Sequence, residues 1–141
     1  MRIVADTNTV ISGLLWGGPP RQILEYARIG QIRLYTSHSL LAELAEVIGR
    51  AKFNARIQAA GLSAGELIAS YQRLAVRVDP QALPAPVSRD ADDDEVLACA
   101  SAASAAIIVS GDQDLLSLGN HGDTRILTAP LALEHLRNMA R

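Results

Sequence analysis

Short apolar runs alternate along the chain with longer stretches whose apolar positions recur at helical spacing. Residues 2–5 (RIVA) read as a buried strand ending at Asp6. Gly17, Gly18, Pro19 and Pro20 make a turn, and Pro20 stands near the start of a helix running to about residue 29, which Gly30 stops. Residues 32–35 read as a second strand. Ser37 or Ser39 caps the next helix, whose Leu40, Leu41, Leu44, Val47 and Ile48 form one apolar arc. A further helix is expected over 51–60, ended by Gly61. Ser63 and Glu66 have the spacing of a capping box opening a helix to about residue 74. A short strand over 76–78 precedes a Pro-rich stretch, 79–91, that lacks periodicity and reads as a loop. An Ala-rich helix over 93–104, an apolar strand over 106–109 and a short helical turn follow. A last strand near 125–127 and a terminal helix from about residue 130 complete the pattern. Such alternation predicts an α/β fold with a central parallel sheet of four to five strands flanked by helices on both faces.

At 141 residues, the chain has the size of one domain, 1–141, with 49% apolar and 20% charged residues, enough to bury a core. No apolar run approaches the roughly 20 residues of a membrane span, and Asp6 interrupts what Arg2 and its neighbours offer as a signal peptide. No membrane association is expected. The single cysteine, Cys99, permits no internal disulfide, so the cytoplasm is the default compartment. Net charge is −2, but its distribution is uneven. Residues 1–78 carry nine bases against five acids, and residues 79–141 carry ten acids against four arginines. Two such halves on one small fold place an anionic pocket beside a cationic rim.

The acids gather where chemistry is expected. In open parallel α/β sheets ligands bind beyond the carboxyl ends of the strands, and two such ends finish in aspartate, at Asp6 and Asp112. Two ionised carboxylates on one buried edge need a cation between them, or one must be protonated. Neither has Lys, His or Cys beside it, so the donor set is all oxygen and points to Mg²⁺ or Mn²⁺ rather than zinc. Glu43 lies at the edge of its helix's apolar arc, where either a site-facing carboxylate or a boundary ion pair with Arg50 would sit. Asp90, Asp92, Asp93, Asp94 and Glu95 crowd the start of the Ala-rich helix. Asp92 and Glu95 have capping-box spacing, but five acids in six residues exceed what capping requires.

These motifs (MRIVADTN, SLLAELAEVI, DADDDEVLACA and IIVSGDQDLLSL, in that order) resemble those of the PIN-domain ribonucleases, above all the VapC-related branch of toxin–antitoxin toxins. The resemblance covers nearly the whole chain and implies a PIN-like fold. It implies a metal site formed by Asp6, Glu43, an aspartate opening the later helix, and Asp112. Asn8 and Ser110 match supporting polar positions, and Asp114 a frequent additional acid. Counting back eighteen residues from Asp112 reaches Asp94, the family-like spacing and the first choice for the helix ligand. The closer branch often has Asn there with Asp before it, which favours Asp93. The resemblance also implies a homodimer and a small antitoxin partner.

Two Mg²⁺ or Mn²⁺ ions held by Asp6, Glu43, Asp94 and Asp112 would activate water for in-line attack on an RNA phosphodiester, with no side chain needed as general base. Arg21, Arg50 and Lys52 are the candidate phosphate contacts on the basic rim, and Trp16 either stacks on a base or is buried. The expected function is therefore a metal-dependent endoribonuclease, the toxin of a toxin–antitoxin pair. A catalytically silent PIN-like module that binds RNA or regulates is the alternative, and the complete acidic set argues against it. A haloacid-dehalogenase-type phosphatase would want Asp where Asn8 stands. A receiver domain would want a lysine after a late strand, and Lys52 is mid-chain. His38, His121 and His135 are scattered without metal-ligand spacing, and Cys99 reads as core packing.

Overall fold

The computed structural model describes residues 1–139. Its strands are β1 (Arg2–Ala5), β2 (Arg33–Thr36), β3 (Ala75–Arg77), β4 (Ile107–Val109), β5 (Asn120–His121) and β6 (Thr124–Leu127). They form one sheet in the order β3-β2-β1-β4-β6-β5. Five strands pair in parallel, and β5 alone is antiparallel, joined to β6 by a tight turn in which Gly122 has φ +57°. β5, the strand beyond the five expected, has two residues, too few to leave a period-2 signature. From β1 the chain builds outward through β2 to β3, then returns to add β4 and β6 on the other side. The order therefore reverses between β1 and β4, and the crevice beyond their carboxyl ends is where such sheets bind ligands.

Side chains alternate across the two central strands. Ile3, Ala5, Ile107 and Val109 enter one core with α1 (Thr7–Leu15), α2 (Pro19–Arg28), α3 (His38–Ile48), α5 (Ala64–Leu74) and α8 (Ala129–Met139). Val4 and Ile108 enter the other, against α6 (Ala91–Ala103) and α7 (Gln113–Leu118). Cys99 is fully buried in this second core. Among the described residues no helix is long and apolar enough to cross a membrane.

Several local boundaries differ from the pattern-based expectation. Residues 7–15, which carried no expected element, form α1, capped by Asp6, whose carboxylate accepts from the Thr9 N–H at 2.9 Å. Thr7, Asn8 and Thr9 are weak helix formers, so this helix depends on its cap and on burial of Val10, Ile11 and Leu15. Gly13 allows α2 to approach, since a Cβ there would lie 2.7 Å from the Leu24 Cδ1 and 3.0 Å from the Pro20 carbonyl oxygen. The expected helix over 51–60 is divided into a 3-10 turn, Ala51–Phe53, and α4 (Asn54–Ala59). The capping box at Ser63 and Glu66 is present on α5. The Ala-rich helix starts two residues early because Asp90, not Asp92, is its cap, accepting from the Asp92 N–H at 2.9 Å.

Candidate active site

Three helix N-termini meet at the carboxyl edge of β1 and β4, and an aspartate caps each: Asp6 on α1, Asp112 on α7 and Asp90 on α6. Free N–H groups and the helix dipoles favour negative charge at such ends, which lets carboxylates collect on a largely buried edge. Asp6 is 7% exposed. One of its oxygens takes the Thr9 N–H and the other the Ser110 hydroxyl. The same Ser110 Oγ accepts from the Asp112 N–H at 2.9 Å. Ser110, 1% exposed, thus ties together the acids that end the two strands. Asp112 accepts from the Leu115 N–H at 3.0 Å, completing its cap.

Glu43 reaches the cleft from α3 and accepts from the Thr7 hydroxyl. Burial raises its pKa despite that hydrogen bond, and the carboxylates of Asp92 and Asp6 push it the same way. Asp93, buried on the first turn of α6, accepts from the Ser88 hydroxyl at 3.1 Å. Burial and then the neighbouring Asp112 carboxylate raise its pKa from 3.8 to about 6. Carboxylate oxygens of Asp93, Asp112 and Asp114 lie within 4.8 Å of one another. Asp114 also pairs with Arg89 at 2.9 Å, an exposed bridge that adds little stability. Asp6, Thr7, Asn8, Glu43, Asp92, Asp93 and Asp112 line one open cleft of about 180 Å³.

The expectation that Asp94 opens the site does not describe its placement. Asp94 turns away from the cleft, and its carboxylate accepts the Ser88 N–H at 2.8 Å and the Val87 N–H at 3.3 Å. There it fastens the Pro-rich loop and borders a different, larger cavity of about 570 Å³. Consecutive helical residues diverge by about 100°, so the rotation of α6 that brings Asp92 and Asp93 to the cleft carries Asp94 out of it. Asp92, expected as a cap, lines the cleft near Glu43 instead. Thr7 was given no role from the sequence, although its place directly after Asp6 is a usable signal.

The proposed basic rim is only partly assembled. Arg50 lines the cleft but pairs with Glu46 at 2.8 Å, so Glu43 has no ion pair with it. Arg21 donates to the carbonyls of Gly13 and Leu14 at 3.1 and 3.0 Å, closing the end of α1. Lys52 lies 5.1 Å from the Phe53 ring centroid and is absent from the cleft lining. Trp16 is neither buried nor free: at 42% exposure it packs edge-on to Phe53, 6.2 Å between centroids, with the Arg56 guanidinium 5.6 Å from its ring.

A mostly parallel α/β sheet with carboxylates gathered at its switch point is an arrangement whose donors could hold a cation. The PIN-domain family model matches residues 2–114, and the chain belongs to that family, whose members are generally nucleases. Two solved structures share the fold. VapBC2 from Rickettsia felis, bound to a DNA fragment from their promoter, has 13% identity and a TM-score of 0.59, over 89% of this chain and 97% of that one. FitAcB from Neisseria gonorrhoeae has 18% identity and a TM-score of 0.51, over 90% and 97%. No curated protein matches the sequence.

Proposed function

We propose that the protein is a divalent-metal-dependent endoribonuclease and the toxin of a toxin–antitoxin pair. The observation that carries this reading is the convergence of the Asp93, Asp112 and Asp114 carboxylates beside Asp6 and Glu43. The donor set fits a hard cation: all ligands are oxygens, and the raised pKa of Asp93 reflects a charge that wants a counter-ion. Asp6, Glu43, Asp93 and Asp112 would hold Mg²⁺ or Mn²⁺, with Asp114 and Asp92 flanking. When bound, such ions neutralise charge at a phosphodiester and make water ionisable near neutral pH.

The chain's own groups supply the rest. Ser110 and the Thr9 N–H hold Asp6 in one orientation, Thr7 holds Glu43, and Ser88 holds Asp93. Fixed ligands of this kind lower the reorganisation needed during reaction. Asn8 at the cleft wall offers an amide donor to a phosphate oxygen, and Arg50 a guanidinium at the rim. Arg21 is engaged in the fold and drops out of the substrate set.

Purified protein incubated with single-stranded RNA should cleave it with Mg²⁺ or Mn²⁺ and not in excess EDTA. Equal cleavage in EDTA refutes the metal reading. VapBC2 and FitAcB share the fold, and the sequence motifs resemble the toxin branch. Expression of this chain alone should slow growth, and co-expression with the product of an adjacent small reading frame should restore it. Normal growth despite verified cleaving activity would remove the toxin assignment and leave the nuclease.

A further inference from the structure

Tyr71, on the buried face of α5, is 2% exposed, and its hydroxyl meets no donor or acceptor among the described residues. A buried hydroxyl left without a partner is destabilising, and phenylalanine would fill the same space without that cost. A cavity of about 10 Å³ lies beside it, close to the smallest space that holds a water molecule. Three residues with hydroxyls share its wall, Thr7, Thr36 and Tyr71, amid apolar residues of β1, α1 and α3. A buried water needs two to four polar partners, and three hydroxyl-bearing residues border this cavity. Thr7 also lines the acidic cleft, so it is the partition between the cavity and the candidate active site.

We propose that this cavity is the site of a single structural water, held by Tyr71 and Thr36 against Thr7, and that Tyr71 is a positioning residue for Glu43. Burial raises the pKa of the Tyr71 hydroxyl, so it stays protonated and donates to the water. The water then donates to threonine oxygens. Thr7 accepts on the cavity side while its own proton goes to Glu43, and a hydroxyl that accepts one hydrogen bond donates the next more strongly. Among the described residues Glu43 makes no ion pair, and Thr7 and Asp92 are the side chains that hydrogen-bond it. The water site stands on burial and the cavity, whereas the place of Glu43 among the metal ligands rests on the nuclease reading.

Tyr71→Phe, Thr36→Val and the double variant test this, with the metal-free protein examined by high-resolution crystallography, thermal unfolding and ¹³C NMR of the Glu43 carboxyl. The expected results are one ordered water within hydrogen-bond distance of the Tyr71 hydroxyl, and a Tm for Tyr71→Phe no higher than wild type. The two substitutions should be non-additive in stability, and the Glu43 resonance should move in Tyr71→Phe. A dry cavity in the wild-type density, or a raised Tm with an unmoved Glu43 resonance, overturns the proposal. If Tyr71→Phe does not fold, Thr36→Val decides: a displaced Glu43 resonance supports the relay and an unchanged one overturns it. RNA cleavage by the wild type with Mn²⁺ is read separately, and its failure beside a confirmed water would refute the nuclease and not the water site.

Discussion

Two adjacent aspartates, Asp93 and Asp94, have opposite surroundings at the level of single residues. Asp93 faces Asp112 and Asp114, while Asp94 accepts backbone N–H groups of the loop before α6. Asp93→Ala should therefore lower RNA cleavage by at least about 100-fold, the scale of removing one preorganised electrostatic group, with little loss of folding. Asp94→Ala should retain most cleavage and cost roughly 1.5–3 kcal/mol of stability, the worth of hydrogen bonds to a charged acceptor. Steady-state cleavage and urea unfolding of both variants check the pair; the reverse pattern would return the ligand role to Asp94. Asp6→Asn keeps an acceptor for the Thr9 N–H, so it should fold and fail to cleave. Circular dichroism beside the cleavage assay tests that.

At the level of elements, α1 shows how tertiary contacts override weak propensity. Its first turn is Thr-Asn-Thr, yet it presents Asp6 and Thr7 to the cleft because its cap and its apolar face both require that start. The fit against α2 is close. Gly13→Ala would place a Cβ 2.7 Å from the Leu24 side chain and 3.0 Å from a backbone carbonyl. The expected cost is about 1–3 kcal/mol, typical of overpacking, read as a lower Tm. Cleavage should fall too, because any shift of α1 moves the Thr7 that holds Glu43. The Ser63–Glu66 capping box, by contrast, was legible from spacing and lies far along the chain from the acids. Ser63→Ala should cost about 0.5–2 kcal/mol and leave activity unchanged.

Charge couples folding to metal and pH at the scale of the whole molecule. The folded-state pKa of Asp93, about 6, lies above the 3.8 of an unperturbed aspartate, so the folded protein holds this proton more tightly than the unfolded chain. The group costs almost nothing well below the unfolded value of 3.8, where both states are protonated. Its ionisation penalty grows as pH rises towards 6 and is complete above that. Metal-free protein should therefore lose stability from this group across that window. A divalent cation should reverse the loss: at hundredfold excess over Kd, binding adds about 2.7 kcal/mol, a Tm rise on the order of 5–10 °C. The rise should be larger at pH 7 than at pH 5, where binding must first displace the Asp93 proton. Differential scanning fluorimetry with Mn²⁺ at both pH values measures this, and equal shifts would count against Asp93 as a ligand.

The sequence alone determined the class of the architecture, because short apolar runs at Ile3–Ala5 and Ile107–Val109 suit buried parallel strands and the intervening periodicity suits covering helices, while α1 and β5 left no such pattern. It also determined which strand ends carry acids, since Asp6 and Asp112 follow those runs directly. What it left open were matters of direction and company. Adjacent aspartates in one helix have the same composition and nearly the same spacing, and only the rotation of α6 against the sheet turns Asp93 inward and Asp94 onto the loop. Arg21, Arg50 and Lys52 are equally cationic as letters, but the fold uses Arg21 to close α1 and leaves Arg50 at the cleft. Tyr71 lies far along the chain from Asp6, and nothing in its sequence surroundings marks it out. Its hydroxyl gains meaning only when α5 packs against α3 and beside the sheet, because a buried polar atom is defined by what the rest of the chain places, or does not place, beside it.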